Sequence, residues 1–116
     1  MEIKTKRIYA PAADSDGFRI LVDRLWPRGI KKQEAHIDLW LKEVAPSTEL
    51  RKWFNHEPEK WEQFMKKYRA ELKGAAAFEE LTTLAEKHRI LTLLYGAKDE
   101  QHNQAAVLEQ FLVKGI

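Results

Sequence analysis

Apolar positions along this chain follow two different periods. Phe18-Arg19-Ile20-Leu21-Val22-Asp23 is a short apolar run opened by Gly17 and followed by a turn-rich segment, the pattern of a strand covered on both faces. Ile90-Leu91-Thr92-Leu93-Leu94-Tyr95 is a second such run, stopped at Gly96. It is too short for a helix and predicts a buried central strand. Ile3 to Tyr9 alternates less cleanly and carries Lys4, Lys6 and Arg7, which suits a strand nearer the sheet edge.

From Ile37 onward the period lengthens to that of a helix. Ile37, Trp40, Leu41 and Val44 form a short stripe ended by Pro46, and Ser47 is a good N-cap for a helix through Leu50, Trp53 and Phe54. Trp61, Phe64, Met65, Tyr68 and Leu72 make the strongest helical stripe, closed by Gly74. Phe78, Leu81, Leu84 and Ala85 mark another helix, ending near His88. Asp99 is placed to cap a final helix with Ala105, Leu108, Phe111 and Leu112 on its apolar side. The predicted order is β-β-α-α-α-α-β-α. Apolar strands joined by helices imply parallel pairing through a crossover. The expected fold is a small single α/β domain over residues 1–116, a short, mainly parallel sheet with helices packed on it.

Composition narrows the function classes. A chain of 116 residues with 44% hydrophobic and 33% charged positions supports one core and argues against disorder. There is no cysteine, which excludes disulfides, thiol catalysis and cysteine-ligated metals. The segment MEIKTKRIY lacks a signal-peptide stretch and no apolar run approaches a membrane span, so a cytoplasmic location with no membrane partner is expected. A net charge of +2 is too small to imply nucleic acid by itself.

In open parallel sheets, ligands bind outside the carboxyl ends of the strands. Both apolar runs end in polar clusters: Asp23-Arg24-Leu25-Trp26-Pro27-Arg28-Gly29 after the first, and Gly96-Ala97-Lys98-Asp99-Glu100-Gln101-His102-Asn103 after the second. Parallel strands would set these clusters side by side. The second also opens a helix, whose free N–H groups and dipole favour an anion. Arg24, Arg28 and Lys98 are therefore candidate anion ligands, with Trp26 as a stacking surface and Asn103 as a further contact. Asp23 and His102 are the acid–base candidates, His102 as a first-turn residue whose imidazolium the dipole disfavours. His56, in Asn55-His56-Glu57-Pro58, lies on a loop able to reach the same region.

Plainer readings stand beside these. Arg24 pairs with Asp23 or a distant glutamate, Arg28 and Lys98 are solvated, and Trp26 packs its own loop. Capping accounts for Ser47, and no Gly-x-Ser-x-Gly elbow supports a serine nucleophile. The histidines show no metal-ligand spacing, and neither metal nor cofactor is implied.

The run Asp23-Arg24-Leu25-Trp26-Pro27-Arg28-Gly29, then Ala45-Pro46-Ser47 with Leu50-Arg51-Lys52-Trp53-Phe54, then Tyr68-Arg69-Ala70-Glu71-Leu72, and finally Leu93-Leu94-Tyr95-Gly96-Ala97-Lys98-Asp99 with His102-Asn103 resemble the YeaO-like family of small bacterial proteins. That family lies within a larger grouping of domains of unknown function. The resemblance covers nearly the whole chain, including Arg19 and Arg51, and implies one compact α/β domain. It implies no activity. The leading expectation is an enzyme or ligand-binding protein with a phosphate- or nucleotide-like anion pocket at the strand ends. The alternatives are a nucleic-acid-binding or regulatory module around Trp53 to Lys73, and an interaction domain dimerising through Trp40 or Trp53.

Overall fold

The computed structural model describes residues 1–116. Four strands, β1 (Glu2–Arg7), β2 (Phe18–Leu21), β3 (Leu39–Trp40) and β4 (Ile90–Tyr95), form one sheet in the order β1-β4-β2-β3. Every pairing is parallel. β4 sits between β1 and β2, as its uninterrupted apolar run predicts, and lysine-bearing β1 lies at an edge. The helices are α1 (Lys32–Ala35), α2 (Thr48–Phe54), α3 (Trp61–Leu72), α4 (Ala76–Lys87) and α5 (Gln104–Lys114). The order is therefore β-β-α-β-α-α-α-β-α, within the α/β class read from the sequence.

Residues 37–44 correct the predicted helix there. They hold β3 and a single 3₁₀ turn at Lys42–Val44. The helical spacing of Ile37, Trp40, Leu41 and Val44 is overridden by pairing with β2. Asp38 N–H donates to Arg19 O at 2.8 Å and Leu41 N–H to Leu21 O at 2.9 Å, completing a ladder no local pattern announces. The first helix, α1, is one turn, exposed except at buried Ala35, without an apolar stripe.

The two sheet faces are closed by different means. Alternate strand residues point to opposite sides. Ile20, Val22, Leu91, Leu93 and Tyr95 join an 18-residue core with apolar side chains of α2, α3, α4 and α5. Leu21 and Leu94 join only Ile8 in a small second cluster, packed by Trp26, Ile30, Ile37 and Trp40. That second face is covered by irregular chain pinned to a buried ion pair. Arg19 donates to Asp16 Oδ2 at 2.5 Å, to His36 O at 2.8 Å and to Ala35 O at 3.2 Å. Burial pulls the Asp16 pKa upward, but hydrogen bonds from Ala13 N–H, Lys6 and Arg19 outweigh it and leave the carboxyl below its ordinary value. Thr92 Oγ1 donates to Asp16 O at 2.6 Å, fixing the same turn to the central strand. Gly17, at φ +65°, follows it so closely that a Cβ would come within 2.3 Å of Ile90 O. No helix is long and apolar enough to cross a membrane.

Candidate functional site

Parallel pairing of β2 with β4 sets Leu21 opposite Leu94, so the residues after both strands meet. Asp23 Oδ2 accepts the Gly96 N–H at 2.8 Å, and Gln104 Nε2 donates to Asp23 Oδ1. A Cβ at position 96 would lie 2.9 Å from Asp23 Oδ2, so the approach needs glycine. Above these strand ends opens a cavity of about 270 Å³. Its floor holds Asp23, Gly96, Asn103 and Gln104. Phe54 and Phe64, stacked with centroids 4.4 Å apart, give an apolar wall, and Arg24, Arg51, His56 and His102 bring the basic groups.

Arg24 is aimed by its surroundings. Nε donates to Pro46 O and one terminal nitrogen to Ala45 O, both at 3.1 Å, leaving the other terminal nitrogen uncommitted. The guanidinium of Arg51, one turn into α2, makes no hydrogen bond within the protein. Ser47 caps α2, accepting the Leu50 N–H at 3.1 Å, while Glu71 takes the Ser47 N–H and hydroxyl. That pins the Ala45–Ser47 corner on which Arg24 rests.

Asp23 is a half-buried carboxyl beside these cations. Desolvation raises its pKa to about 6, against the lowering effect of the Gly96 and Gln104 hydrogen bonds and of Arg51. His102 is oriented by Asp99: Nδ1 lies 2.9 Å from Asp99 Oδ2, and the ring edge meets Trp61 at 5.1 Å. With Nδ1–H donating to the Asp99 carboxylate, Nε2 is the nitrogen free for a ligand.

Four of the seven sequence candidates line the cavity and three lie elsewhere. Asp23, Arg24, His102 and Asn103 line the cavity. Asn103 is committed to structure: its Oδ1 caps α5 at Ala106 N–H and its Nδ2 donates to Asp99 O, both at 2.9 Å. This corrects the expected cap at Asp99, which instead closes the preceding turn by accepting the Gln101 and His102 N–H groups. His102 therefore precedes α5 and lies outside its first turn. Trp26 packs on the other face of the sheet, donating from Nε1 to Ile30 O at 2.7 Å and meeting Trp40 edge-on. Arg28 and Lys98 are exposed, line no part of the cavity, and their side chains make no hydrogen bond.

Sequence reasoning passed over Arg51, which carried only the family resemblance, and Gln104. Gln104 immediately follows the Asn103 cap, a signal that the correct helix start would have exposed. Arg51 reaches the cavity from α2, whose tertiary placement no local spacing encodes.

Behind the corner, fully buried Tyr68 donates its hydroxyl to Val44 O. Burial, with Glu71 adding to it, pushes the phenol pKa well up, so the group stays a neutral donor. Tyr68→Phe strands the Val44 carbonyl and should lower stability by about 1–2 kcal/mol, read from urea denaturation. An unchanged midpoint would show that the bond contributes nothing.

Comparison with known proteins yields one family and several relatives. The family described as the inactive DUF488-N3 subclade matches residues 2–116. The chain is 52% identical over 114 residues to the uncharacterized protein YeaO of Escherichia coli (strain K12), covering 97% of each. It is 39% identical over 110 residues to the uncharacterized proteins Rv3073c of Mycobacterium tuberculosis (strain ATCC 25618 / H37Rv) and Mb3100c of Mycobacterium bovis (strain ATCC BAA-935 / AF2122/97), covering 95% of this chain and 92% of theirs. No solved structure matches it.

Proposed function

We propose that this chain, which belongs to the inactive DUF488-N3 subclade, binds a small anionic ligand, phosphate- or nucleotide-like, at the carboxyl ends of β2 and β4. The observation that carries this reading is the cavity lining. Two arginines, Arg24 and Arg51, face a space whose lone carboxylate, Asp23, already has both oxygens engaged by Gly96 and Gln104. Arginine forks hold phosphate or carboxylate through paired, charge-assisted hydrogen bonds, and Arg24 is pre-aimed by the Ala45 and Pro46 carbonyls.

His102 Nε2 and the Gln104 amide add polar contacts, and Phe54 with Phe64 offers an apolar wall for the body of the ligand. The cavity, about 270 Å³, sits at the small end of ligand pockets, which run from roughly 300 Å³ upward, and suits a phosphate ester or mononucleotide better than a dinucleotide. Asp23 and His102 are the groups that would move protons if the bound molecule were turned over. The subclade's description as inactive favours binding without turnover.

Titration calorimetry with inorganic phosphate, nucleoside monophosphates and sugar phosphates tests the reading. Arg24→Ala and Arg51→Ala should each weaken binding by about tenfold or more, whereas Lys98→Ala and Arg28→Ala should leave it unchanged. Loss of affinity in the Lys98 and Arg28 variants alone, or no binding of any anion, would overturn it.

A further inference from the structure

We infer that His56 is a ligand-contacting residue of this cavity, held at its mouth by two consecutive left-handed backbone positions; the inference rests on the anion-site reading above. The observation is a left-handed conformation at an exposed residue that no hydrogen bond within the protein holds in place. Asn55 and His56 have φ of +48° and +54°. Asn55 needs no special account: asparagine tolerates this region, and as the residue closing α2 it donates its N–H to Arg51 O at 3.0 Å.

His56 gains nothing comparable. At His36, the other histidine with positive φ, the carbonyl is turned toward Arg19 Nε at 2.8 Å. The backbone of His56 makes no hydrogen bond, and neither ring nitrogen has a partner within the protein. The turn closes around it without its help, through Glu57 N–H to Phe54 O at 3.0 Å and Lys60 to Glu57 at 3.2 Å. What the conformation does achieve is placement. The ring stands 6.4 Å from Phe54, the apolar wall, and lines the cavity that Arg51 and His102 also line. Strained, non-glycine positions persist where the side chain they present has a use. An imidazole beside two arginines offers a further N–H donor to a phosphate or carboxylate oxygen.

The test separates turn chemistry from ligand contact, with inorganic phosphate followed by amide chemical-shift titration. His56→Gly relieves the left-handed strain and should raise Tm by about 2–4 °C, while phosphate affinity falls by about fivefold or more. His56→Asn, which also tolerates the conformation but keeps the loop stiffer, should lose affinity to a similar extent. A more stable His56→Gly variant with unchanged affinity would make His56 a turn residue only. If Arg24→Ala still weakened binding by about tenfold or more in that case, the anion site would survive. A less stable His56→Gly variant would remove the strain premise. No phosphate-induced shift around the cavity of the wild type would overturn both readings together.

Discussion

Arg19→Met should lower the stability of the protein by about 3–5 kcal/mol, because it leaves the Asp16 carboxylate buried without its main partner. Asp16 is 4% exposed and Arg19 5%, so water cannot replace the lost contact. Lys6, at 3.1 Å, remains as a second cation, which places the effect within that range rather than beyond it. The substitution also frees the Ala35 and His36 carbonyls that hold the irregular layer to the sheet. Adding Asp16→Asn to Arg19→Met should recover part of the loss, since it removes the orphaned charge. Urea denaturation of the single and double variants checks this. A loss below about 1 kcal/mol, the scale of an exposed pair, would mean that water reaches the ion pair.

Asp23→Asn should act in the opposite direction on stability. The carboxyl titrates at about 6 in the folded protein against 3.8 in the unfolded chain. Below pH 4 both states carry the proton. Between pH 4 and 6 the folded state holds a proton that the unfolded state has released, so the carboxyl's contribution becomes less favourable as pH rises, and above pH 6 the full penalty applies. A shift of about two units corresponds to roughly 2–3 kcal/mol. Asparagine avoids that penalty while its oxygen accepts the Gly96 N–H and its amide meets a flipped Gln104. The variant should match wild type at pH 4 and exceed it by roughly 2–3 kcal/mol at pH 7, measured by denaturation across that range. A pH-independent difference would show that desolvation does not set the Asp23 pKa.

The fold was legible where a local pattern coincided with tertiary burial. Ile90–Tyr95 is apolar on both sides because β4 is flanked by strands and covered on both faces, and the stripe of α3 faces the main core. It was illegible where a ladder partner decided the outcome, as at Leu39–Trp40, whose two residues pair with β2 against a helical spacing. At the site, strand direction alone brought Asp23 beside Gly96. It did not discriminate among the cations that follow the strands: Arg24 turns inward onto Ala45 and Pro46, while Arg28 and Lys98 face solvent. Loop conformation sorts those three, and loop conformation depends on distant packing such as the Trp26–Trp40 contact. Arg51 was hidden for a related reason, since it enters the cavity from α2, a separate element whose position is set by tertiary packing.

The unlike covering of the two sheet faces gives the cavity two unlike walls. Arg51, Phe54, His56 and Phe64 belong to the helical layer, held by oil-like packing. Asp23, Arg24 and Leu25 begin the segment that wraps the other face, where a carboxylate and a guanidinium fasten the chain. The pocket is thus a seam between a greasy half and a charge-latched half. Acid strong enough to protonate Asp16, whose stabilising contribution is present above the ordinary aspartate pKa and lost as pH falls through its lowered value, unlatches one lip of that seam and leaves the other standing.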